Sequence, residues 1–130
     1  MSLIIKYILI TYITEFQFSG FRKRLLIYKY ILNVMSYYII LWTLSEQGIE
    51  KIKDSPKRFE HVKEIWTSKG IKVHAVYYTF GQYDGVNIVE ASDDASLMSA
   101  LLSVESEGNA RTTTLKAFTY EEAKKIIDNL

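Results

Sequence analysis

From Met35 onward, hydrophobic and polar positions divide the chain into short, well-punctuated segments. Tyr37 to Leu44 is aromatic and β-branched and too short for a buried helix, so it predicts a strand. Ser45 can cap a short helical turn over Gln47 to Lys53. Asp54-Ser55-Pro56 repeats the start signal, with Ser55 as the cap and Pro56 at the first helical position, where its missing N–H costs nothing. The helix that follows gathers Phe59, Val62 and Trp66 on one face and stops at Gly70. Ile71 to Phe80 and Val86 to Ala91 read as two strands joined by the hairpin residues Gly81-Gln82-Tyr83-Asp84-Gly85. Ser92, Asp93 and Asp94 open a second helix in which Leu97, Met98, Leu101 and Leu102 recur at helical spacing before Gly108. Arg111 to Phe118 is a fourth strand. Thr119 to Glu122 fits a capping box for a last helix striped by Ala123, Ile126, Ile127 and Leu130.

The order β-α-β-β-α-β, with one added C-terminal helix, is that of an α+β ferredoxin-like sandwich: four antiparallel strands carrying both main helices on one face. The other face should then alternate with polar residues if it met water. It does not. Tyr38, Ile40 and Trp42 oppose Tyr37, Ile39 and Leu41, and Val73, Ala75 and Tyr77 oppose His74, Val76, Tyr78 and Phe80, so both faces are apolar. A second copy of the same sheet is the expected cover, giving a dimeric α/β-barrel about a two-fold axis.

Composition changes this picture at one place. The 130 residues suit a single domain, and the 48% hydrophobic and 24% charged fractions are those of a globular chain. Residues 1 to 34 nevertheless carry five basic side chains against one acid, while the rest holds eleven basic and fourteen acidic residues. The apolar runs Leu3 to Ile13 and Leu25 to Val34 are too short to span a bilayer, and the basic cluster Arg22-Lys23-Arg24 follows the first run where a secretory signal would place it before. We expect residues 1–34 to be an extension outside the fold, with Met35 as the true start. A membrane-surface or disordered segment, or an added hairpin, are the alternatives.

The net charge of +1 gives no electrostatic case for a nucleic-acid partner, and the strands lack a basic aromatic RNA-binding pattern. No cysteine is present, which excludes thiol catalysis, disulfides and Cys-ligated metals. No phosphate-loop, dinucleotide, zinc-protease or nucleophile-elbow motif occurs, and neither a metal nor a cofactor is expected. The expected setting is cytoplasmic, with no membrane partner.

The stretch from Tyr38 to Asp128 resembles the GYD-domain family. Gly81-Gln82-Tyr83-Asp84 matches the pattern behind the label. The Gln47-Gly48 turn, Lys53-Asp54-Ser55-Pro56-Lys57-Arg58, Gly70, Val89-Glu90-Ala91 with Asp93-Asp94, Gly108-Asn109 with Arg111-Thr112, and Leu115-Lys116-Ala117-Phe118-Thr119 support it in order and spacing. The resemblance covers residues 35–130 and implies a ferredoxin-like chain of the dimeric α/β-barrel kind, without implying a reaction.

Candidate chemistry therefore rests on single residues. His74 and Tyr78 share strand parity, and if their face lines a barrel cavity they offer a proton-transfer pair among apolar walls. An interface histidine is the plainer reading of His74. Tyr83 and Asp84 could bind a ligand on the hairpin loop, although Asp84 bonding local backbone suits the surrounding glycines better. Arg58 could clamp a carboxylate or simply pair with an acid or solvent. Two functions follow: an oligomeric module that binds a small molecule or mediates assembly, or a cofactor-independent enzyme acting on a small apolar or aromatic substrate in the barrel cavity. The expected partners are a second copy of the chain and a small-molecule ligand.

Overall fold

The computed structural model describes residues 35–130 together with Tyr7. The reading of residues 1–34 as an extension lies outside the described residues. Met35–Leu130 is a unit of its own, running β1 (Ser36–Leu44), α1 (Glu46–Glu50), a 3-10 turn (Ile52–Asp54), α2 (Ser55–Ser68), β2 (Lys72–Tyr78), β3 (Gly85–Ala91), α3 (Asp94–Glu105), β4 (Ala110–Ala117) and α4 (Tyr120–Ile127). The strands form one open sheet in the order β2-β3-β1-β4, every neighbouring pair antiparallel. This is the ferredoxin-like arrangement that the segment order predicts.

Parity along the central strands explains where the core lies. Tyr38 and Ile40 of β1 stand in register with Val89 and Asn87 of β3, and all four are buried beneath α2 and α3. Trp66 closes the layer: it is 2% exposed, and its indole N–H donates to the Ala100 carbonyl of α3 at 3.3 Å. Ala100 is small enough for the two helices to approach there. Leu97 and Ala100 consequently form the buried stripe of α3, with Leu101 and Val104 packed beside it. Met98 and Leu102 of the expected stripe are more than half exposed. Gly70 ends α2 at φ +78°, a conformation that favours glycine.

Three caps behave as the sequence suggests. The Ser45 hydroxyl accepts from the Gly48 N–H at 3.1 Å, Asp93 accepts from the Ser96 N–H at 2.7 Å, and Thr119 with Glu122 completes the capping box. Ser55 does not act as the expected cap. The 3-10 turn runs straight into α2, Ser55 is already helical at φ −56° and ψ −44°, and its hydroxyl turns instead to Tyr78. α4 leaves the sheet with Ile126 and Ile127 more than half exposed.

Candidate functional site

Strand β2 carries a bulge. Val73 pairs with Val89 and Ala75 with Ile88, so His74 is an extra residue without a partner of its own. An extra residue reverses the side of everything beyond it. Val76 and Tyr78 thereby stand in register with Asn87 and Gly85 on the helix side, while Ala75 and Tyr77 face away with Ile88 and Val86. The shared face expected for His74 and Tyr78 is therefore corrected: the two side chains lie on opposite sides of the sheet and cannot serve one pocket.

Tyr78 belongs to a cavity of about 80 Å³ between the sheet and α2. Its ring meets Trp42 edge to face, with centroids 5.2 Å apart, and its hydroxyl lies 2.8 Å from that of Ser55. Trp42 in turn donates its indole N–H to Asn87 Oδ1 at 3.0 Å. Ile40, Phe59, Val62, Trp66 and Val104 supply the apolar walls. Gly85 is what lets the indole lie flat on β3, because a Cβ there would come within 1.9 Å of Trp42 Cζ2.

Arg58 also lines this cavity, and its guanidinium donates to the carbonyls of Lys51 at 2.6 Å and Gly48 at 3.1 Å. It thus holds the end of α1 and pairs with no carboxylate among the described residues. Asp84 is committed to the fold. Its carboxylate accepts from the Leu44 N–H at 2.7 Å, and its own N–H donates to the Trp42 carbonyl at 2.9 Å. The backbone it bonds is thus the far end of β1 as well as its own hairpin, where its carbonyl receives the Thr79 N–H. Tyr83, half-buried on the same loop, accepts the Thr79 hydroxyl with its backbone carbonyl at 2.7 Å.

On the helix-free face, His74 Nε2 lies 2.7 Å from Glu90 Oε2 and its ring stacks obliquely on Tyr37, with centroids 5.3 Å apart. The Glu90 charge, and then burial, raise the Tyr37 phenol above its ordinary value. Beyond this polar corner the face is apolar in two rows across the sheet: Leu115, Ile39, Ile88 and Ala75, then Leu41, Val86 and Tyr77 beside Thr113. Also on the helix side, Tyr38 of β1 donates to Asp94 at the start of α3, and Lys116 of β4 lies 3.4 Å from the same carboxylate. Burial first, and then that hydrogen bond, push Tyr38 up to about 12, while the Tyr38 hydroxyl and Lys116 hold Asp94 low.

Sequence reasoning missed Asn87, Ser55 and Trp42 as members of the cavity. A signal for Asn87 existed: it is the one polar residue among the inward positions of β3, between Gly85, Val89 and Ala91. No cluster among the described residues could hold a metal ion, and none of their helices is long and apolar enough to cross a membrane.

The open four-stranded sheet, with its cavity on one face and apolar rows on the other, defines a small ferredoxin-like domain. The GYD domain family model matches residues 38–127, and the chain belongs to that family. Over 84 residues it is 39% identical to a glutamine synthetase and cystathionine beta-lyase binding protein from Thermus thermophilus, spanning 64% of this chain and 88% of that one. Among solved structures it is similar to a feast or famine regulatory protein from M. tuberculosis complexed with L-methionine, at 19% identity and a TM-score of 0.50 over 65% of this chain and 50% of that one. The leucine response regulatory protein of Mycobacterium tuberculosis matches equally, over 51% of its length. The chain spans about half of each regulator, and the likeness is one of fold.

Proposed function

We propose that the protein is a binding and regulatory module that works as a homodimer through the helix-free face of its sheet. The observation that carries this reading is the pair of apolar rows, in which Tyr77 is 59% and Leu115 47% exposed. Such a continuous apolar patch is a site of association in a globular protein, and burial of roughly 800 Å² per partner is ordinary for a stable dimer. The relative named for binding two enzymes supports binding of protein partners as the role of the module.

Ile39 stands at the middle of the first row, between Leu115 and Ile88. Light scattering and sedimentation of the full chain at micromolar concentration should give a dimer, and Ile39→Lys should give a folded monomer. A monomeric wild type, or a lysine variant that still dimerises, overturns the reading.

A further inference from the structure

The cavity under the helices carries more hydrogen-bond donors than its own walls use. Trp42 can only donate, so its bond to Asn87 fixes the amide oxygen toward the indole and turns Nδ2 away. Asn87 is 4% exposed, and its Nδ2 makes no hydrogen bond to any described residue. No fully enclosed side-chain nitrogen or oxygen among the described residues lacks a partner, so this nitrogen opens onto the cavity. Ser55, itself 6% exposed, and Tyr78 share a single hydrogen bond between two hydroxyls, which leaves one O–H to donate elsewhere. Arg58 adds a positive charge that makes no ion pair with a carboxylate among the described residues.

Some acceptors at the same cavity have partners: Glu107 at its edge faces His61 at 3.3 Å, and Asn109 Oδ1 receives the Gln47 amide at 2.9 Å. A donor that opens onto a cavity with no protein acceptor is free to bond a ligand oxygen there. The donors of Asn87 and of the Ser55–Tyr78 pair, with Arg58, suit a carboxylate although Glu107 stands at the same cavity, and the walls of Trp42, Phe59 and Trp66 suit an apolar body behind it.

We propose that this cavity binds the carboxylate of a short aliphatic acid. Asn87 Nδ2 and the free Ser55 or Tyr78 hydroxyl hydrogen donate to the carboxylate oxygens, Arg58 offsets the charge, and the alkyl chain lies against the indoles. The volume of about 80 Å³ suits a short chain. The site lies on the opposite face of the sheet from the proposed dimer contact and does not depend on it.

Both tryptophans of the chain, Trp42 and Trp66, line the cavity, so intrinsic fluorescence reports its occupancy. The full chain is titrated with acetate, propionate and butyrate at constant ionic strength, with propan-1-ol and chloride as the neutral and inorganic controls. We expect a saturable change for propionate or butyrate and at least tenfold weaker binding of the alcohol. Asn87→Asp keeps the acceptor for Trp42 while replacing the donors with a second oxygen, and should weaken propionate at least tenfold. Ser55→Ala, which changes one hydroxyl only, should weaken it at least threefold and serves where the aspartate variant does not fold. The proposal falls if no acid gives a saturable response, if chloride or propanol matches the acids, or if a folded variant binds propionate as the wild type does.

Discussion

Tyr78 packs against Trp42 on the helix side of the sheet, while His74, four positions earlier in the same strand, reaches Glu90 on the opposite face. The bulge at His74 separates them, because an unpaired residue between Val73 and Ala75 inverts the parity of the rest of β2. The helix-side cavity and the helix-free face are consequently built from independent residues, and each can be altered without the other.

That relationship predicts an uncommon tolerance. Deleting His74 would leave Val73 and Ala75 with their present partners, Val89 and Ile88, in an unbulged ladder. The deletion should therefore fold with a modest loss of stability, detected as a small fall in the urea midpoint. Deleting Val76 should be far worse, since it would force Tyr77 and Tyr78 to exchange faces.

Gly85→Ala should destabilise the domain by about 1–3 kcal/mol, the range for overpacking a core. The new methyl would occupy the space of the Trp42 ring, 1.9 Å from Cζ2. Trp42→Leu frees that space, so denaturant melts of the double variant should show less than the sum of the two single losses.

Asp84→Ala removes the acceptor of the Leu44 N–H and should cost on the order of 1–3 kcal/mol. Asp84→Asn keeps an oxygen at that place and should retain most of the stability. Equal losses in thermal melts of the two variants would show that the carboxylate charge, and not the hydrogen bond, matters at this latch.

Alkaline pH should weaken the fold through Tyr38. Its folded pKa is raised from 10.0 to about 12, chiefly by burial. The neutral phenol is thus favoured in the folded state, its contribution is complete below pH 10, and it is lost as the pH rises from 10 to about 12. Tyr38→Phe has no phenol to ionise, and its stability measured across that window should fall less steeply than that of the wild type.

Much of the fold was legible because local rules and the tertiary structure agree. The aromatic and β-branched run in β1, the Ser45 and Asp93 caps, the Thr119–Glu122 capping box and the order of segments each state their own geometry, and together they specify the sheet topology. The family was legible for a similar reason, since its short motifs fall at these turns and caps.

The candidate site was much less legible. Asp84 shows why: its glycine neighbours identify a turn, but nothing local says that its carboxylate reaches the Leu44 amide across the sheet. Ser55 reads as a cap until the 3-10 turn delivers the chain to α2 already helical, which frees its hydroxyl for Tyr78. By itself the sequence determined the alternation of elements and the apolar character of both sheet faces, because these depend on residues within a few positions of one another. Only the tertiary structure decided which side chains share a face in β2 and which donors meet at Asn87. A bulge arises from pairing with another strand, and a hydrogen bond between Trp42 and Asn87 exists only once β1 and β3 are in register.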